Sequence, residues 1–372
     1  MDNKERIHQM ALISTRGVGH LLWKRLIVQF GSAEAVFNSS VRALTQLPGT
    51  SKRLANEILK QDMLRTAEDL LAAHHREGIQ VISCYDTSYP ERLKHISSPP
   101  AFLYFRGHAD LNAPKILSIV GTRTATAYGK RMTEQLIGEL RIPNLLIVSG
   151  LAYGIDICAH KAALQHGLPT LTVLPSSLDI IYPPAHRSIA VSMIERGGIV
   201  TEHPLHTPLE LHQFPARNRI VAGIADATVV IEAGHKSGAL ITAELANAHD
   251  REVFAVPGNV YESTSAGCNH LIKSQQAHLI TCADDILYLM NWRADATKVR
   301  PTQAAPPKLP PLSQKEQEAV QALQALKREV HIDELSHQAG IPPAQLASVL
   351  LQLELKNVVK FMPGNKFKLA VG

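Results

Sequence analysis

Short apolar runs recur through the middle of the chain, with amphipathic stretches between them. The runs KILSIV, LLIVSG, TLTVLP, ATVVIEAG and EVFAVPG are rich in β-branched residues and end at or beside Gly, Ser or Pro. Continuous apolar runs are typical of strands buried on both faces of a sheet. The stretches 129–140, 156–165 and 239–249 have helical periodicity. This alternation predicts an α/β fold with a Rossmann-like parallel sheet over residues 77–292, to which IQVIS and AFLYFRG add strands.

The first 76 residues are predicted to form a separate helical domain. Gly17 and Gly19 stand just before one apolar-periodic helix, and Pro48 and Gly49 stand just before another. Glycines at such turns allow positive φ angles and close backbone approach. Two such units resemble tandem helix-hairpin-helix motifs or a SAM-like domain, and hairpins of this kind can hold DNA phosphates on backbone N–H groups. A module that only packs against the rest of the chain is the alternative.

The C-terminal part of the chain begins with a break in the apolar pattern. Residues 293–312 are proline-rich and are predicted to form a linker. Residues 313–372 then predict a helix through Lys327, a second helix ending at Gly340, and a third that opens at Pro342 or Pro343. The strands VVKF and KFKL follow, on either side of a turn over 363–365. This order is typical of a winged helix.

Composition adds only weak constraints on function. The net charge of +5 and the sequence pI near 9.0 favour a polyanionic partner only if basic residues gather at one site. No run reaches the roughly 18 apolar residues of a membrane span, and MDNKERIHQM lacks the apolar core of a signal peptide, so we expect a cytoplasmic protein. The cysteines contain no C-x-x-C pair and are interpreted as buried apolar residues. Neither a metal nor a cofactor is expected.

Candidate binding chemistry lies where the predicted strands end. Arg123 follows KILSIV, Ser149 and Gly150 end LLIVSG, and 236–238 (Lys-Ser-Gly) open a helix. Strand ends, helix N-termini and guanidinium groups together make anion sites in open α/β sheets. Arg123 replaces a glycine of the dinucleotide fingerprint, which argues against NAD. Ser149 and His160 lack the G-x-S-x-G context of a hydrolase.

A further candidate site is the segment around Arg217, Asn218 and Arg219, which precedes the strand ATVV. Two guanidinium groups beside an amide suit phosphate and base contacts. Phe214, three residues earlier, offers a ring on which a base could stack. The alternative is an exposed turn with a buried Phe214.

The motifs VGTRTATAYG, VSGLAYGIDICAH, TVLPSSLDIIYPPAH and FPARNRIVAGIADATVVIEAGHKSGALITAELA, followed by VFAVPGN, together resemble the DNA-processing protein A (DprA/Smf) family. The resemblance implies a non-enzymatic core that dimerises, binds and protects incoming single-stranded DNA, and helps load the RecA recombinase during natural transformation. Ser176-Ser177 depart from the family pattern, which puts the local turn in doubt. The DNA-binding positions implied by the resemblance are Arg123, Ser149, Gly150, Arg217, Asn218, Arg219, Ser237 and Gly238, with Lys236 and Arg251 as neighbouring basic candidates.

The resemblance also implies a self-association surface near 268–279, where Leu271, Ile272 and Leu279 could form an apolar ridge. A nucleotide-processing enzyme of the nucleoside monophosphate glycosidase type is the alternative function. It is disfavoured because the glycine-rich stretch of those enzymes is replaced by 233–236, although Glu244 is present. In the winged helix, the presumed recognition helix has one basic residue, at its end. This favours a protein-interaction or DNA-strand accessory role over sequence-specific duplex reading.

Overall fold

The chain is described by a computed structural model that covers residues 2–293, 312–326, 328–356, 358–362 and 364–369. It divides into two compact units, residues 1–299 and 300–372. Of the predicted linker over 293–312, only Arg293 and Leu312 lie within the described residues.

A nine-stranded sheet forms the centre of the first unit, with the order β1-β2-β6-β5-β4-β3-β7-β8-β9. The seven neighbouring strands β6-β5-β4-β3-β7-β8-β9 are all parallel to one another. β2 pairs antiparallel with β6, and β1 pairs antiparallel with β2, at one edge of the sheet. The predicted parallel sheet is therefore confirmed, although β6 and the short β9 were not predicted. The strands are β1 Gln80–Ser83, β2 Phe102–Gly107, β3 Lys115–Val120, β4 Leu145–Ser149, β5 Thr170–Val173, β6 Gly198–Thr201, β7 Ala227–Val230, β8 Glu252–Ala255 and β9 His278–Leu279.

Helices cover both faces of this sheet, because alternate residues of each buried strand point to opposite faces. Ile116 and Val148 pack into one apolar cluster with α11 and α12, whereas Leu117 and Ile147 pack into another with α8 and α9. The helices are α1 Asn3–Ser14, α2 His20–Phe30, α3 Ala33–Phe37, α4 Val41–Thr45, α5 Lys52–Leu59, α6 Asp62–Arg76, α7 Glu91–Lys94, α8 Ala127–Glu139, α9 Ile155–Gln165, α10 Arg187–Ile194, α11 Gln213–Ile224, α12 Gly238–Ala248, α13 Ala266–Lys273 and α14 Ala283–Leu289.

The N-terminal helices α1–α6 form the predicted helical region and pack against the β1–β2 edge of the sheet. Trp23 shares one apolar cluster with Phe102 and Tyr104. The predicted boundary at residue 76 therefore falls inside the first compact unit. The two predicted glycine turns are present, since Gly17 and Gly49 have φ angles of 96° and 94°. Each glycine lies close to the helix that follows the other glycine: a Cβ on Gly17 would lie 3.3 Å from Leu54 Cδ1, and a Cβ on Gly49 would lie 4.0 Å from Leu22 Cδ1.

The second unit has the predicted winged-helix order. Its helices are α15 Gln314–Leu326, α16 Ile332–Ala339 and α17 Pro343–Leu355, and its strands are β10 Val330–His331, β11 Val359–Met362 and β12 Lys366–Leu369. The strand order is β10-β12-β11. Gly340 ends α16 in the left-handed conformation, and Leu335, Leu350 and Phe367 are buried in one core. Lys327 and Pro363, which the predicted elements include, lie outside the described residues.

Within the described residues, no helix combines the length and apolarity needed to cross a lipid bilayer. The same residues contain no group of His, Cys, Asp and Glu that could hold a metal ion. Of the cysteines, only Cys268 is fully buried. The prediction that all of them are core residues was therefore wrong for Cys84, Cys158 and Cys282, which are half-buried.

Candidate functional site

A cavity of about 820 Å³ opens at the carboxyl ends of β3, β4 and β7. β3 and β7 are neighbours from which the chain continues in opposite directions along the sheet, and such switch points are where open α/β sheets bind ligands. The cavity therefore lies where the strand-end motifs predicted it. Its lining includes Gly121, Thr122, Arg123, Gly150, Asp156, Arg217, Asn218, His235, Lys236, Ser237, Gly238, Thr242, Ser263 and Thr264.

Arg123 and Lys236 bring exposed positive charge to this cavity from two different strand ends. Within the described part of the chain, neither side chain forms an ion pair. Ser237 caps α12, its Oγ accepting from the backbone N–H of Ala239 at 3.3 Å. The first turn of α12 thus presents backbone N–H groups and the positive end of its dipole to the cavity, beside the two cations. This arrangement can bind a phosphate group.

Arg217 lies beneath the cavity and is 6% exposed. Its Nη1 donates to the carbonyl oxygen of Gly150 at 2.9 Å and to that of Val173, so the side chain joins the carboxyl ends of β4 and β5. Burial lowers the pKa of Arg217 to about 10, which still leaves it charged at neutral pH. Arg217 was predicted to contact DNA directly. In the structure its guanidinium is instead a buried positive charge in the floor of the cavity.

Gly150 and Ser149 were both predicted to be binding positions, but only Gly150 lines the cavity. Gly150 lines the cavity, and a Cβ there would lie 2.5 Å from Nη2 of Arg217, so a larger residue would displace the guanidinium. Ser149 is fully buried and its Oγ donates to the carbonyl oxygen of Ile119 at 2.6 Å. The prediction for Ser149 as a ligand contact was therefore wrong. His160 is also buried: its Nδ1 lies 2.8 Å from Thr170 Oγ1, and burial lowers its pKa to about 3.

Arg219 does not join the cavity, contrary to the prediction. It forms an ion pair with Glu202 at 2.5 Å and lines a separate cavity of about 260 Å³ near His20 and Tyr104. The segment around Arg217 is part of helix α11 and not a turn. Two residues along a helix are about 200° apart around its axis, so Arg217 and Arg219 point in nearly opposite directions.

Arg251, a neighbouring basic candidate for DNA contact, does not join the cavity. It directly precedes β8 and is therefore at the amino ends of the strands, at the opposite edge of the sheet. Its Nη2 donates to the carbonyl oxygen of Arg92 at 3.1 Å, and Arg92 in turn forms an ion pair with Asp226 at 2.7 Å. Burial lowers the pKa of Arg251.

An aromatic crevice adjoins the cavity and was only partly predicted. It is lined by Tyr153, Tyr182 and Phe214 and shares Arg123 and Gly150 with the cavity. Phe214 is half-buried, with its ring centroid 5.4 Å from that of Tyr182 and 5.9 Å from Cζ of Arg123. Tyr153 and Tyr182 are 50% and 43% exposed. Tyr153 lies in the motif AYGID and Tyr182 in the motif IIYPP. The signal in the sequence that could have identified them was an aromatic residue in a loop after a predicted strand.

The serines that depart from the family pattern hold their own turn together. Ser176 Oγ donates to the carbonyl oxygen of Ile180 at 2.5 Å, and Ser177 Oγ donates to that of Thr207 at 3.1 Å. Both side chains are buried, and neither lines the cavity. The substitution therefore does not alter the candidate binding surface.

The predicted apolar ridge is only partly exposed. Leu271 is 2% exposed and belongs to the core beside Cys268, so it was wrongly predicted as a surface residue. Ile272 is half-buried against the same core, and Leu279 is 50% exposed on the edge strand β9.

The alternative of a nucleotide glycosidase finds no support in the cavity. Glu244, the acidic residue that motivated it, is on the exposed side of α12 and is not part of the cavity lining. The carboxylate that does line the cavity, Asp156, accepts hydrogen bonds from the backbone N–H groups of Gly150 and Ala152.

Comparisons with known proteins show which family this chain resembles. The family model of DNA recombination-mediator protein A matches residues 80–291, and that of the DprA winged helix domain matches residues 303–365. Protein Smf of Synechocystis sp. is 37% identical over 276 residues, which cover 73% of this chain and 69% of the relative. The X-ray structure of DNA processing protein A from Streptococcus pneumoniae has a TM-score of 0.65 at 30% identity and covers 77% of this chain and 98% of that one. A structure of DNA processing protein A from Helicobacter pylori, which concerns its single-stranded DNA binding mode, has a TM-score of 0.52 at 31% identity and covers 57% and 97%.

Proposed function

Because the chain belongs to the DNA recombination-mediator protein A family, we propose that it is a non-catalytic, cytoplasmic protein that binds single-stranded DNA in the cavity at the ends of β3, β4 and β7. The observation that carries this proposal is the convergence of Arg123, Lys236 and the N-terminus of α12 on one cavity, above the buried charge of Arg217. A phosphate would lie between the two cations, and the adjoining aromatic crevice would take a base.

Several finer parts of the proposal rest on family membership. We propose that the protein forms a homodimer through the β9 edge, where Leu279 is exposed. We also propose that it protects incoming strands and helps load the RecA recombinase during natural transformation. DNA contact by the glycine hairpins at Gly17 and Gly49 stays a prediction.

The winged helix is proposed to contact protein or an accessory DNA strand. Its helix α17 exposes Leu351 and Leu355, and Phe361 of β11 is 46% exposed. Direct base readout uses Arg, Lys, Asn or Gln, and of these residue types α17 exposes only Gln345 and Gln352. The basic side chains of the module that could touch a DNA backbone are Lys356, Lys360, Lys366 and Lys368.

Binding of a labelled oligo-dT across a salt series tests the proposed function. We expect tighter binding of oligo-dT than of a duplex of the same length, with log affinity falling by about 0.7 per phosphate contact for each unit of log salt. Fluorescence anisotropy measures this, and light scattering on the same preparation should give the mass of a dimer. Equal affinity for duplex and single strand, or no salt dependence, would contradict the proposal.

Replacing Phe214 tests the aromatic crevice. The variant Phe214→Ala should bind oligo-dT about tenfold more weakly, because base–aromatic stacking contributes roughly 1–3 kcal/mol per base. Phe214→Tyr keeps the ring and should bind nearly as the native chain does. Tyr288→Ala removes a 65% exposed aromatic elsewhere and is the matched control. Unchanged binding by Phe214→Ala would show that no base stacks there.

A further inference from the structure

Asp156 is a buried carboxylate in the floor of the proposed DNA cavity. It is 7% exposed and lines the cavity. Its Oδ2 accepts hydrogen bonds from the backbone N–H of Gly150 at 3.1 Å and of Ala152 at 3.3 Å. These bonds hold the loop between β4 and α9, in which Leu151 has a φ of 60°. The carboxylate therefore shapes the surface beneath the ligand.

The ionised carboxylate of Asp156 has the same sign of charge as the phosphate that the cavity is proposed to bind. Arg217, which lies beside it in the floor, forms no ion pair within the described residues, so its charge acts through space on Asp156 and on any anion above. Burial raises the pKa of Asp156, while Arg217 and the two backbone N–H groups oppose that rise. Placing a phosphate in the cavity adds a second negative charge and further disfavours the ionised form of Asp156.

We propose that Asp156 sets the affinity of the cavity for DNA: its charge opposes the phosphate, so that binding is weaker than the basic residues alone would make it and is accompanied by proton uptake. This inference rests on the proposed function. It assigns to Asp156 a role beyond holding the loop, because a neutral side chain of the same shape also has an oxygen that can accept the two loop N–H bonds.

Other charged and titratable groups face Asp156 or share its surroundings. Arg217 comes from α11, Arg123 from the loop after β3, and Cys158 from α9 itself. His160 lies within electrostatic range of Arg217 and His186, and Nδ1 of His186 is 2.7 Å from the carbonyl oxygen of Leu151 in the loop. Burial holds the pKa of His160 at about 3, so it stays neutral. His235 also lines the cavity and is exposed, so a variant at this position is included in the test.

The variant Asp156→Asn separates charge from shape. Its amide oxygen can take the place of Oδ2 and accept both backbone hydrogen bonds. Its Nδ2 can donate to Ser149 Oγ, which itself donates to Ile119. Asp250→Asn is the matched control, since it removes one negative charge from an exposed turn before β8, at the opposite edge of the sheet.

We expect Asp156→Asn to bind labelled oligo-dT about tenfold more tightly than the native full-length chain near neutral pH, and Asp250→Asn to bind as the native chain does. Native binding should tighten as pH is lowered through the raised pKa of Asp156, and this dependence should be smaller in Asp156→Asn. A His235→Asn variant should keep most of the dependence.

Affinity of Asp156→Asn equal to or below that of the native chain, with an unchanged melting temperature, would overturn the inference and leave Asp156 as a loop anchor. Loss of the pH dependence in His235→Asn would overturn it as well, and that measurement does not require the Asp156 variant to fold. The proposed function fails differently: native protein that does not bind oligo-dT, or whose binding is unaffected by reversing Arg123 and Lys236, contradicts the cavity assignment itself.

Discussion

The double variant Arg123→Glu/Lys236→Glu will bind oligo-dT at least about 100-fold more weakly than the native chain, a loss of roughly 2.8 kcal/mol. Each reversal removes one phosphate contact and adds a like charge at the mouth of the cavity, where both side chains are exposed and without an ion pair in the described residues. Because two contacts are lost, the slope of log affinity against log salt should become shallower by about 1.4.

Arg141→Glu is the control for this variant. Arg141 is exposed and follows α8 at the amino edge of the sheet, away from the cavity, so its reversal changes the net charge half as much as the double variant does, without touching the site. Arg219→Gln should also bind DNA within about threefold of the native chain, because the structure places Arg219 against Glu202 in another cavity. An equally large loss in Arg141→Glu would indicate nonspecific attraction, and full retention by the double variant would remove the cavity from the mechanism.

The second large effect is on stability. Arg217→Met will lower the free energy of unfolding by about 3–5 kcal/mol at neutral pH, because Asp156 then stays buried without its counter-charge. The carbonyl groups of Gly150 and Val173 also lose their donor. Urea denaturation followed by circular dichroism measures the loss. A change below about 1 kcal/mol would show that the buried guanidinium does not hold the strand ends together.

The pH dependence of that loss has a definite sign. Without Arg217 the folded-state pKa of Asp156, already raised by burial, rises further. A carboxyl whose pKa is raised by folding binds its proton more tightly in the native state, so stability grows as pH falls through that pKa. The deficit of Arg217→Met should therefore be largest at neutral pH and should shrink as pH falls through the raised folded-state pKa of Asp156. Adding Asp156→Asn should restore part of the stability at neutral pH.

Prediction from the pattern succeeded best for elements whose signal is local. The runs KILSIV, LLIVSG, TLTVLP, ATVVIEAG and EVFAVPG all contain strands of the sheet, and their apolar residues are buried. The segment around Arg217 was harder, because PARNRIVAG has no clear periodicity that marks it as helix. The interpretation of this segment as one binding site therefore grouped two arginines that helix α11 directs to nearly opposite sides.

The aromatic crevice shows another limit. Tyr153, Tyr182 and Phe214 come from three separate parts of the chain, and only the packing of α11 and two strand-end loops brings them together. Leu271 shows the same limit in reverse, since its apolar side chain fits a surface ridge or a core equally well until the neighbours of α13 are known.

The sequence by itself determined that this chain has a parallel sheet, a helical N-terminal region and a winged helix, and that Arg123 and 236–238 follow strand ends at one edge of the sheet. These features depend on side-chain periodicity and on glycine and proline placement, which are properties of short segments. Only the tertiary structure decided that Arg217 is a buried charge, that Arg219 and Arg251 face elsewhere, and that Asp156 lies under the proposed phosphate. The reason is that the direction of a side chain depends on the rotation of its helix and on the edge of the sheet it occupies, and both are set by packing between distant segments.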